Sequence, residues 1–376
     1  MHTWAGRTSA AALALFILLL CGTMPAVAAM ENYSFVTAWG GAGPGEGHFS
    51  GPLGVAVARS GSVYVADHLN NRFQVFDARG AFLAAWGGAA QLSLPWGIAV
   101  NGSGVAIVSD YAGRVQTFGP DGTYLGGYGT PGQFGYPLGV AVDGADCVYV
   151  TDYVGNCVRK FAPNGTLLTG WGTPGGGVGE FSNPYGIASD RAGRVYVADS
   201  GNNRVQVFDE NGTYLAGWGG PGARDGEFSY PTGVATDNAG RVFVADYSNN
   251  RVQAFDGNGT FLSVWGTEGT EIGQFSHPQG IGASGRGIVY VGDTGNSRVQ
   301  VFALAVAVAG GGIPADTDGD GLFDDVNGNG RADFNDVVLY FNQMSWITAN
   351  EPVILFDYNG NGRIDFADVV WLFNHL

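Results

Sequence analysis

Basic and histidine side chains are scarce in this chain of 376 residues, and the scarcity excludes several kinds of partner and site. Seventeen lysines and arginines stand against 33 aspartates and glutamates, so the formal net charge is −16 at pH 7. Because an acidic chain without a basic patch repels a phosphate backbone, we expect no nucleic-acid partner. The chain has five histidines. A zinc site needs about three convergent histidine or cysteine ligands, so the composition disfavours one.

Long apolar runs are also rare, and the run near the N-terminus predicts export. Arg7 precedes an apolar stretch from Ala10 to Leu20, and small residues at 26–29 suit cleavage. The stretch is too short to span a bilayer comfortably. We therefore predict a signal peptide at 1–29. The expected product is a secreted, cell-surface-associated protein with no transmembrane segment after cleavage. A membrane anchor, or a lipid on Cys21, is the alternative.

Cysteine is limited to three residues, and two of them lie outside the predicted signal. Export would permit a disulfide between Cys147 and Cys157. The hairpin that contains them is predicted to pair Thr151 with Cys157, which places the thiols roughly 13 Å apart. A disulfide needs Cα atoms within about 7 Å of each other. We predict two free thiols.

Glycine, by contrast, is abundant at 65 residues, and much of it belongs to a sequence repeat that occurs six times. The clearest copies begin at Pro52, Pro184 and Pro231, and weaker copies begin at Pro95, Pro137 and Pro278. Each copy contains an aspartate after a short Val-rich run, with 42 to 47 residues between successive copies: Asp67, Asp110, Asp152, Asp199, Asp246 and Asp293.

Each copy contains four short apolar runs separated by turn residues, a pattern typical of antiparallel strands. In the copy from Pro184 the strands are predicted near 186–189, 194–198, 204–208 and 213–218, with Asn211-Gly212 as a hairpin turn. A four-stranded unit that repeats every 40 to 50 residues or so is a propeller blade.

The number of outer strands predicts how the ring closes. The outer strand of each copy ends at Trp86, Tyr128, Trp171, Trp218 or Trp265, and the sixth copy lacks such a strand. A matching segment at 33–40 precedes the first copy, so we expect it to complete the sixth blade and remove the open edge. The fold class is mainly β, a six-bladed propeller at 30–305. Over about 33–302 these residues resemble the NHL repeat family.

Most copies also carry an arginine about five residues after the aspartate, at Arg72, Arg114, Arg204, Arg251 and Arg298, whereas the third copy has Cys157 there. We interpret the pair as a turn-stabilising contact between neighbouring strands. The residues beside these positions are expected to share one face of the ring and to form a neutral, aromatic mouth suited to a sugar or a peptide. The candidate face is His68, Trp96, Tyr111, Tyr153, Tyr185, Tyr247 and Gln279.

After a linker predicted at 306–315, two twelve-residue loops have oxygen-bearing side chains at positions 1, 3, 5, 9 and 12 and glycine at position 6, the pattern of a calcium loop. The predicted ligands of the first are Asp325, Asn327, Asn329, the carbonyl of Arg331, Asp333 and Asp336. Those of the second are Asp357, Asn359, Asn361, the carbonyl of Arg363, Asp365 and Asp368. Each loop runs into an apolar helical stretch. We predict two bound calcium ions.

The tandem loop-helix pair resembles a type I dockerin, which implies a small α-helical calcium-binding domain at 316–376 and a cohesin-type protein partner. The resemblance assigns the partner-facing positions to Phe334, Asn335, Phe366 and Ala367. A third acidic loop resembles a thrombospondin type 3 repeat and leaves a third ion as an open alternative, with Asp316, Asp318, Asp320, the carbonyl of Leu322, Asp324 and Asn327 as its ligands.

Together these patterns favour a secreted binding or scaffold protein without catalytic activity, whose propeller recognises a sugar or protein ligand and whose dockerin-like end attaches it to a partner. An accessory role in a polysaccharide-degrading complex is one alternative. A metal-dependent lyase or lactonase, as among some six-bladed relatives, is another, with His48, His68 and His277 as its candidate residues. Since neither a G-x-S-x-G motif nor a phosphate loop occurs, we expect no enzyme.

Overall fold

The computed structural model describes residues 31–285, 287–304, 326, 331–332, 334–350, 353–358, 360 and 362–375. The predicted signal peptide, the linker at 306–315 and the third acidic loop, with Asp316, Asp318, Asp320, Leu322 and Asp324, lie outside these residues. So do six predicted ligands of the two main loops: Asp325, Asn327, Asn329, Asp333, Asn359 and Asn361.

The described strands form six four-stranded antiparallel sheets. The first blade consists of β2 Pro52–Val57, β3 Val63–Asp67, β4 Arg72–Phe76 and β5 Phe82–Gly87. The second consists of β6 Pro95–Val100, β7 Ala106–Asp110, β8 Arg114–Phe118 and β9 Tyr124–Tyr128. The third consists of β10 Pro137–Val142, β11 Val148–Asp152, β12 Cys157–Phe161 and β13 Leu167–Trp171. The fourth blade consists of β14 Pro184–Ser189, β15 Val195–Asp199, β16 Arg204–Phe208 and β17 Tyr214–Gly219. The fifth consists of β18 Pro231–Thr236, β19 Val242–Asp246, β20 Arg251–Phe255 and β21 Phe261–Trp265. The sixth is β22 Pro278–Ala283, β23 Ile288–Asp293, β24 Arg298–Leu304 and β1 Tyr33–Gly40.

The N-terminal strand closes the ring as predicted. Strand β1 pairs antiparallel with β24, from Tyr33 opposite Leu304 to Gly40 opposite Arg298. The Tyr33 ring stacks on Trp265 of the fifth blade, with 4.5 Å between ring centroids. The first strand of the sixth blade also contacts the first strand of the first blade. The chain is therefore a mainly-β six-bladed propeller.

Burial differs between the inner and outer strands of a blade because neighbouring blades cover only the inner ones. Every residue of β3 is buried, whereas β5 alternates half-buried and exposed residues. Outer-strand tryptophans fill the space between blades: a Cβ on Gly212, in the next blade's hairpin turn, would lie 2.6 Å from the Trp171 ring. The Asn-Gly turn therefore needs glycine both for its φ of 88° and for this packing.

The predicted register of the hairpin with the two cysteines is wrong by one residue. Asp152, not Thr151, lies opposite Cys157. The four-residue loop between them closes through Asn156, which takes a left-handed φ of 50° and leaves the aspartate in the ladder. Cys147 lies just before β11 and Cys157 begins β12, so the residues are at opposite ends of the hairpin and both thiols are free, as predicted.

The C-terminal segment contains helices α1 Phe334–Asn350, α2 Val353–Phe356 and α3 Phe366–His375. Helices α1 and α3 pack together, and the Tyr340 hydroxyl donates a 2.8 Å hydrogen bond to the Phe356 carbonyl. The two predicted helical stretches are present. These helices alone do not identify a dockerin-like domain, since many small modules pair two helices. No helix in the described part of the chain combines the length and the apolar character needed to cross a membrane.

Candidate functional site

A buried aspartate at the end of the second strand organises the loops on one face of the ring. In the first blade the Asp67 carboxylate accepts hydrogen bonds from the Ser50 amide at 2.8 Å, the Arg72 Nε at 2.7 Å and the Gln74 Nε2 at 3.1 Å. The same arginine also donates to carbonyls of the loop entering the blade, among them that of His48 at 3.0 Å. The pair thus holds the turn and the blade connection together, as interpreted from the sequence.

The third blade reaches the same arrangement by a different residue. Arg159 lies two residues after Cys157, and its Nη1 donates to the Asp152 carboxylate at 2.7 Å. Its position matches Gln74 of the first blade, so the guanidinium replaces both the arginine and the glutamine of the other copies. The Gly135 and Tyr136 amides, which bond to this carboxylate at 2.9 Å, help keep the Asp152 pKa below its usual value despite the opposing effect of burial.

Next to these loops, on the axis of the ring, lies a cavity of about 320 Å³ with no charged side chain in its lining. The lining residues are Trp96, Tyr136, Leu138, Tyr153, Tyr185, Tyr230, Thr232, Tyr247 and Gln279. We call this cavity the tyrosine mouth. Five of the seven candidate residues named from the sequence line it.

The other two candidates stand behind the lining. His68 packs against Trp96 with ring centroids 4.8 Å apart, and Tyr111, which is 55% exposed, packs against Tyr136 at 4.9 Å. Tyr136 and Tyr230, which sequence reasoning missed, precede the repeat prolines. Comparing the residue before each of those prolines would have found both.

Hydrogen bonds between side chains of different blades hold the mouth in one arrangement. The Tyr153 and Tyr230 hydroxyls are 2.9 Å apart, and the Tyr185 hydroxyl donates to the Gln279 Oε1 at 2.5 Å. Tyr230 has a left-handed φ of 55°, and the Asn203 side chain accepts a 2.8 Å bond from its amide. Burial raises the pKa of Tyr185 and of Tyr230, so both of these hydroxyls stay protonated at neutral pH.

The channel beneath the mouth is narrow because the innermost strands approach one another closely. A Cβ on Gly97 would lie 2.1 Å from the Leu138 carbonyl oxygen, and one on Gly186 would lie 2.2 Å from that of Thr232. Glycine is required at such contacts, since any side chain would collide with the next blade. The space between these strands amounts to about 70 Å³. A ligand larger than a few waters must therefore sit in the mouth rather than pass along the axis.

The three histidines considered for a metal site do not converge. His68 lies by Trp96, His277 lies 4.8 Å from the Tyr247 ring, and His48 Nδ1 is 3.1 Å from the Glu46 carbonyl. Within the described ranges, no group of three or more histidine, cysteine or acidic side chains is placed to hold a metal ion. His68 Nδ1 is 3.1 Å from the Pro95 carbonyl oxygen, and burial lowers the His68 pKa.

The second acidic loop is described in part, and the residues seen there suit a calcium loop. Gly362, at position 6, has a φ of 80°, and its amide donates to Asp357 Oδ2 at 2.8 Å. Asp368 Oδ2 accepts from the Asp365 amide at 2.8 Å. Asp357 and Asp368 are buried, and nearby acidic groups of this loop add to burial in raising the Tyr340 pKa. Buried carboxylates require cationic or hydrogen-bonding partners, so the donor set fits calcium.

The remaining predicted residues of the module are placed as follows. Asp336 is fully buried at the start of α1, and Arg331 and Arg363 are exposed. Of the partner-facing positions, Phe366 and Ala367 are exposed in the first turn of α3. Phe334 and Asn335 begin α1, and their side chains are outside the described part of the chain.

Comparisons with known proteins agree with the repeat assignment. The NHL repeat family matches residues 49–76, 181–208, 228–255 and 275–302. A streptogramin B lyase structure has 15% identity and a TM-score of 0.53, covering 73% of this chain and 98% of its own. A virginiamycin B lyase from Staphylococcus aureus has 14% identity and a TM-score of 0.51, covering 68% and 81%. A gluconolactonase from Xanthomonas campestris has 15% identity and a TM-score of 0.53, covering 68% and 86%. No curated protein sequence matches the chain.

These neighbours correct one expectation from the sequence. We predicted a protein without catalytic activity, on the ground that histidines are few and hydrolase motifs absent. That prediction is wrong as argued, because the structures that share this propeller include lyases and a gluconolactonase. Since the same architecture occurs in enzymes, the absence of a hydrolase motif is no evidence against catalysis. What the findings establish is the architecture: the chain is a six-bladed β-propeller that contains NHL repeats.

Proposed function

We propose that the tyrosine mouth binds a neutral carbohydrate outside the cell and that the C-terminal module binds calcium and attaches the protein to a cohesin-type partner. The observation that carries the first half is the uncharged aromatic lining of the cavity. Rings such as Trp96 and Tyr247 can stack on the C–H faces of a sugar, and the Gln279 amide can form hydrogen bonds with its hydroxyls. A charged ligand would lose its hydration there without an opposite charge in return.

A glycan array probed with the full chain tests the first half. We expect binding to neutral oligosaccharides that falls at least tenfold in Tyr247→Ala, because that change removes a ring from the lining and leaves the partners of both hydrogen bonds, Tyr153 with Tyr230 and Tyr185 with Gln279, in place. Tyr214→Ala, on an outer strand and 36% exposed, is the matched control. Binding unchanged in Tyr247→Ala, or selective for charged glycans, contradicts the proposal.

Calcium binding is supported by the geometry of the second loop, which has the positive-φ glycine and the buried carboxylates that a calcium loop requires. Asp357, Asp365, Asp368 and the carbonyl of Arg363 would hold the ion there. The first loop would contribute Asp336 and its other predicted ligands. A bound ion would neutralise the loop and stabilise the packing of α1 on α3.

Calorimetric titration of the chelated chain with calcium tests this half. We expect two sites, of which Asp368→Asn weakens one, together with a higher melting temperature of the module when calcium is present. Asp225→Asn, an exposed change in the propeller, should leave both sites intact. The absence of any heat of binding would reject the calcium assignment.

Attachment to a protein partner is supported by exposed apolar side chains on the two packed helices. Val338, Phe341, Phe366, Val370 and Phe373 are between 42% and 57% exposed, and the Phe341 and Phe366 rings are 5.9 Å apart. A cohesin-type domain mixed with the chain should co-elute from a sizing column in calcium and separate in chelator. Phe366→Asp should abolish the complex. A complex that persists in chelator contradicts calcium-dependent attachment.

A second candidate function is catalysis beside the mouth, where His68 packs against the lining residue Trp96; it is favoured by the lyases and gluconolactonase that share the fold. Because the Pro95 carbonyl can only accept, the His68 Nδ1 that faces it carries the proton and Nε2 has a lone pair for a substrate proton. Turnover of virginiamycin B or a gluconolactone that is lost in His68→Ala and kept in His48→Ala would favour this function. An accessory role in polysaccharide degradation would instead show glycan binding without turnover.

A further inference from the structure

One turn of the propeller contacts the C-terminal module. The turn between β4 and β5 includes Arg79, whose Nη2 donates to the Asp357 carbonyl oxygen and lies 3.5 Å from Asp357 Oδ2. The contact is backed by apolar packing. A single cluster contains Ala78 and Phe82 of the propeller together with Tyr358 of the module. The two parts of the chain therefore meet at a basic side chain with an apolar surround.

The basic residue is specific to this turn. The five outer hairpin turns share a glycine in a positive-φ conformation, and the residue before it is acidic or an asparagine in four of them. These residues are Asp121, Asn164, Asn211 and Asn258, whereas the turn that meets the module has Arg79. The turn geometry does not call for a guanidinium, since the other four turns form without one. The arginine is therefore explained by what it contacts.

What Arg79 contacts is the first residue of the second predicted calcium loop. The same Oδ2 atom that lies near the guanidinium accepts the 2.8 Å bond from the Gly362 amide. A calcium ion coordinated by Asp357 would lie within a few ångströms of the guanidinium. Like charges at such distances repel, most strongly where the carboxylate between them is withdrawn from solvent, as this one is.

We propose, resting on the calcium assignment above, that Arg79 docks the module on the propeller through Asp357 and that docking and calcium loading of the second loop oppose each other. In chelator the guanidinium neutralises the carboxylate and the module stays docked. In calcium the ion takes over that neutralisation, the Arg79 contact weakens and the module separates from the propeller. Linkage makes the effect reciprocal, so docking lowers the calcium affinity by the factor by which calcium weakens docking.

Calcium titration of three full-length proteins tests the coupling: the natural chain, Arg79→Asn and Arg191→Asn. Asparagine is the residue that three of the other turns carry at this place. Arg191 is exposed in the turn between β14 and β15, so Arg191→Asn removes the same charge at a distant place and is the matched control. We expect Arg79→Asn to bind calcium about fivefold or more tightly at one site, at the lower end of ordinary coupling between sites, and Arg191→Asn to match the natural chain.

Small-angle scattering supplies the second readout. The natural chain should expand when calcium is added, and Arg79→Asn should be expanded in chelator already. Calcium binding of equal or lower affinity in Arg79→Asn, or a natural chain whose dimensions do not respond to calcium, overturns the coupling and leaves the calcium site standing. No heat of binding in any of the three proteins rejects the calcium site, and the coupling with it.

Discussion

The hydroxyl of Tyr153 lies 2.9 Å from that of Tyr230, although 77 residues separate them in the chain. The bond links the third blade to the loop that enters the fifth. Phenylalanine at either position keeps the ring in the lining and deletes the bond. We expect Tyr153→Phe to lower the unfolding free energy by about 0.5–1.5 kcal/mol, measured by urea denaturation. Tyr214→Phe on the outer surface should change the unfolding free energy little. Equal losses in the two variants would show that the Tyr153–Tyr230 bond is not responsible.

We expect the buried aspartates that end the second strand of each blade to tolerate substitution poorly. Asp199 accepts from the Arg204 Nε at 2.7 Å and from the Ser182 amide at 2.7 Å, with no exposure of its own. Asparagine there leaves a guanidinium without its counter-charge, so Asp199→Asn should lower the unfolding free energy by about 3–5 kcal/mol. The exposed Asp225→Asn is the control. A loss below about 1 kcal/mol would mean that solvent replaces the partner.

Alanine substitutions at two glycines distinguish the cost of backbone strain from the cost of disturbed packing. Gly212 has a φ of 88° and a tryptophan ring where its Cβ would be, whereas Gly240 has a φ of 81° and open space there. Gly240→Ala should cost about 1–2 kcal/mol, the ordinary penalty of a left-handed alanine. Gly212→Ala should cost clearly more, because the Trp171 ring must also move. Thermal unfolding of the two variants measures the difference, and equal losses would deny the packing role.

The pH dependence of stability should reveal His68. Burial places the His68 pKa below its usual 6.5 in the folded chain, so the unfolded state binds the proton more readily. The resulting stabilisation is complete above pH 6.5 and is lost as the pH falls through the folded-state pKa. His68→Gln should therefore flatten the decline of unfolding free energy below pH 6.5. His48→Gln is the comparison, and two equally flattened profiles would contradict the assignment to His68.

The two thiols should react with an alkylating reagent in the absence of reductant. Burial raises the pKa of Cys147 and of Cys157, so labelling should be slow at neutral pH and faster as the pH rises. Intact mass of the denatured, alkylated chain should show both labels. A mass lower by two hydrogens, with neither thiol labelled, would demonstrate a disulfide.

Much of the architecture could be predicted because strands and turns are local. Pro184 to Trp218 reads as four strands without any knowledge of the other copies, and the surplus strand at 33–40 identifies the closing partner by elimination. The register of the Asp152–Cys157 hairpin failed because one loop residue, Asn156, adopts a left-handed conformation that alternation of apolar residues does not report.

The sequence by itself determined the number of blades, the closing strand and the spacing of oxygen-bearing side chains in the two acidic loops, since each can be read from the repeated pattern of residues. Only the tertiary structure decided that Tyr136 and Tyr230 line the mouth while His68 and Tyr111 stand behind it. It alone showed Arg159 in place of the missing arginine, and Arg79 against Asp357. These contacts join residues from different turns or strands, and their distances depend on how the blades pack around the ring, which no pattern within one copy records.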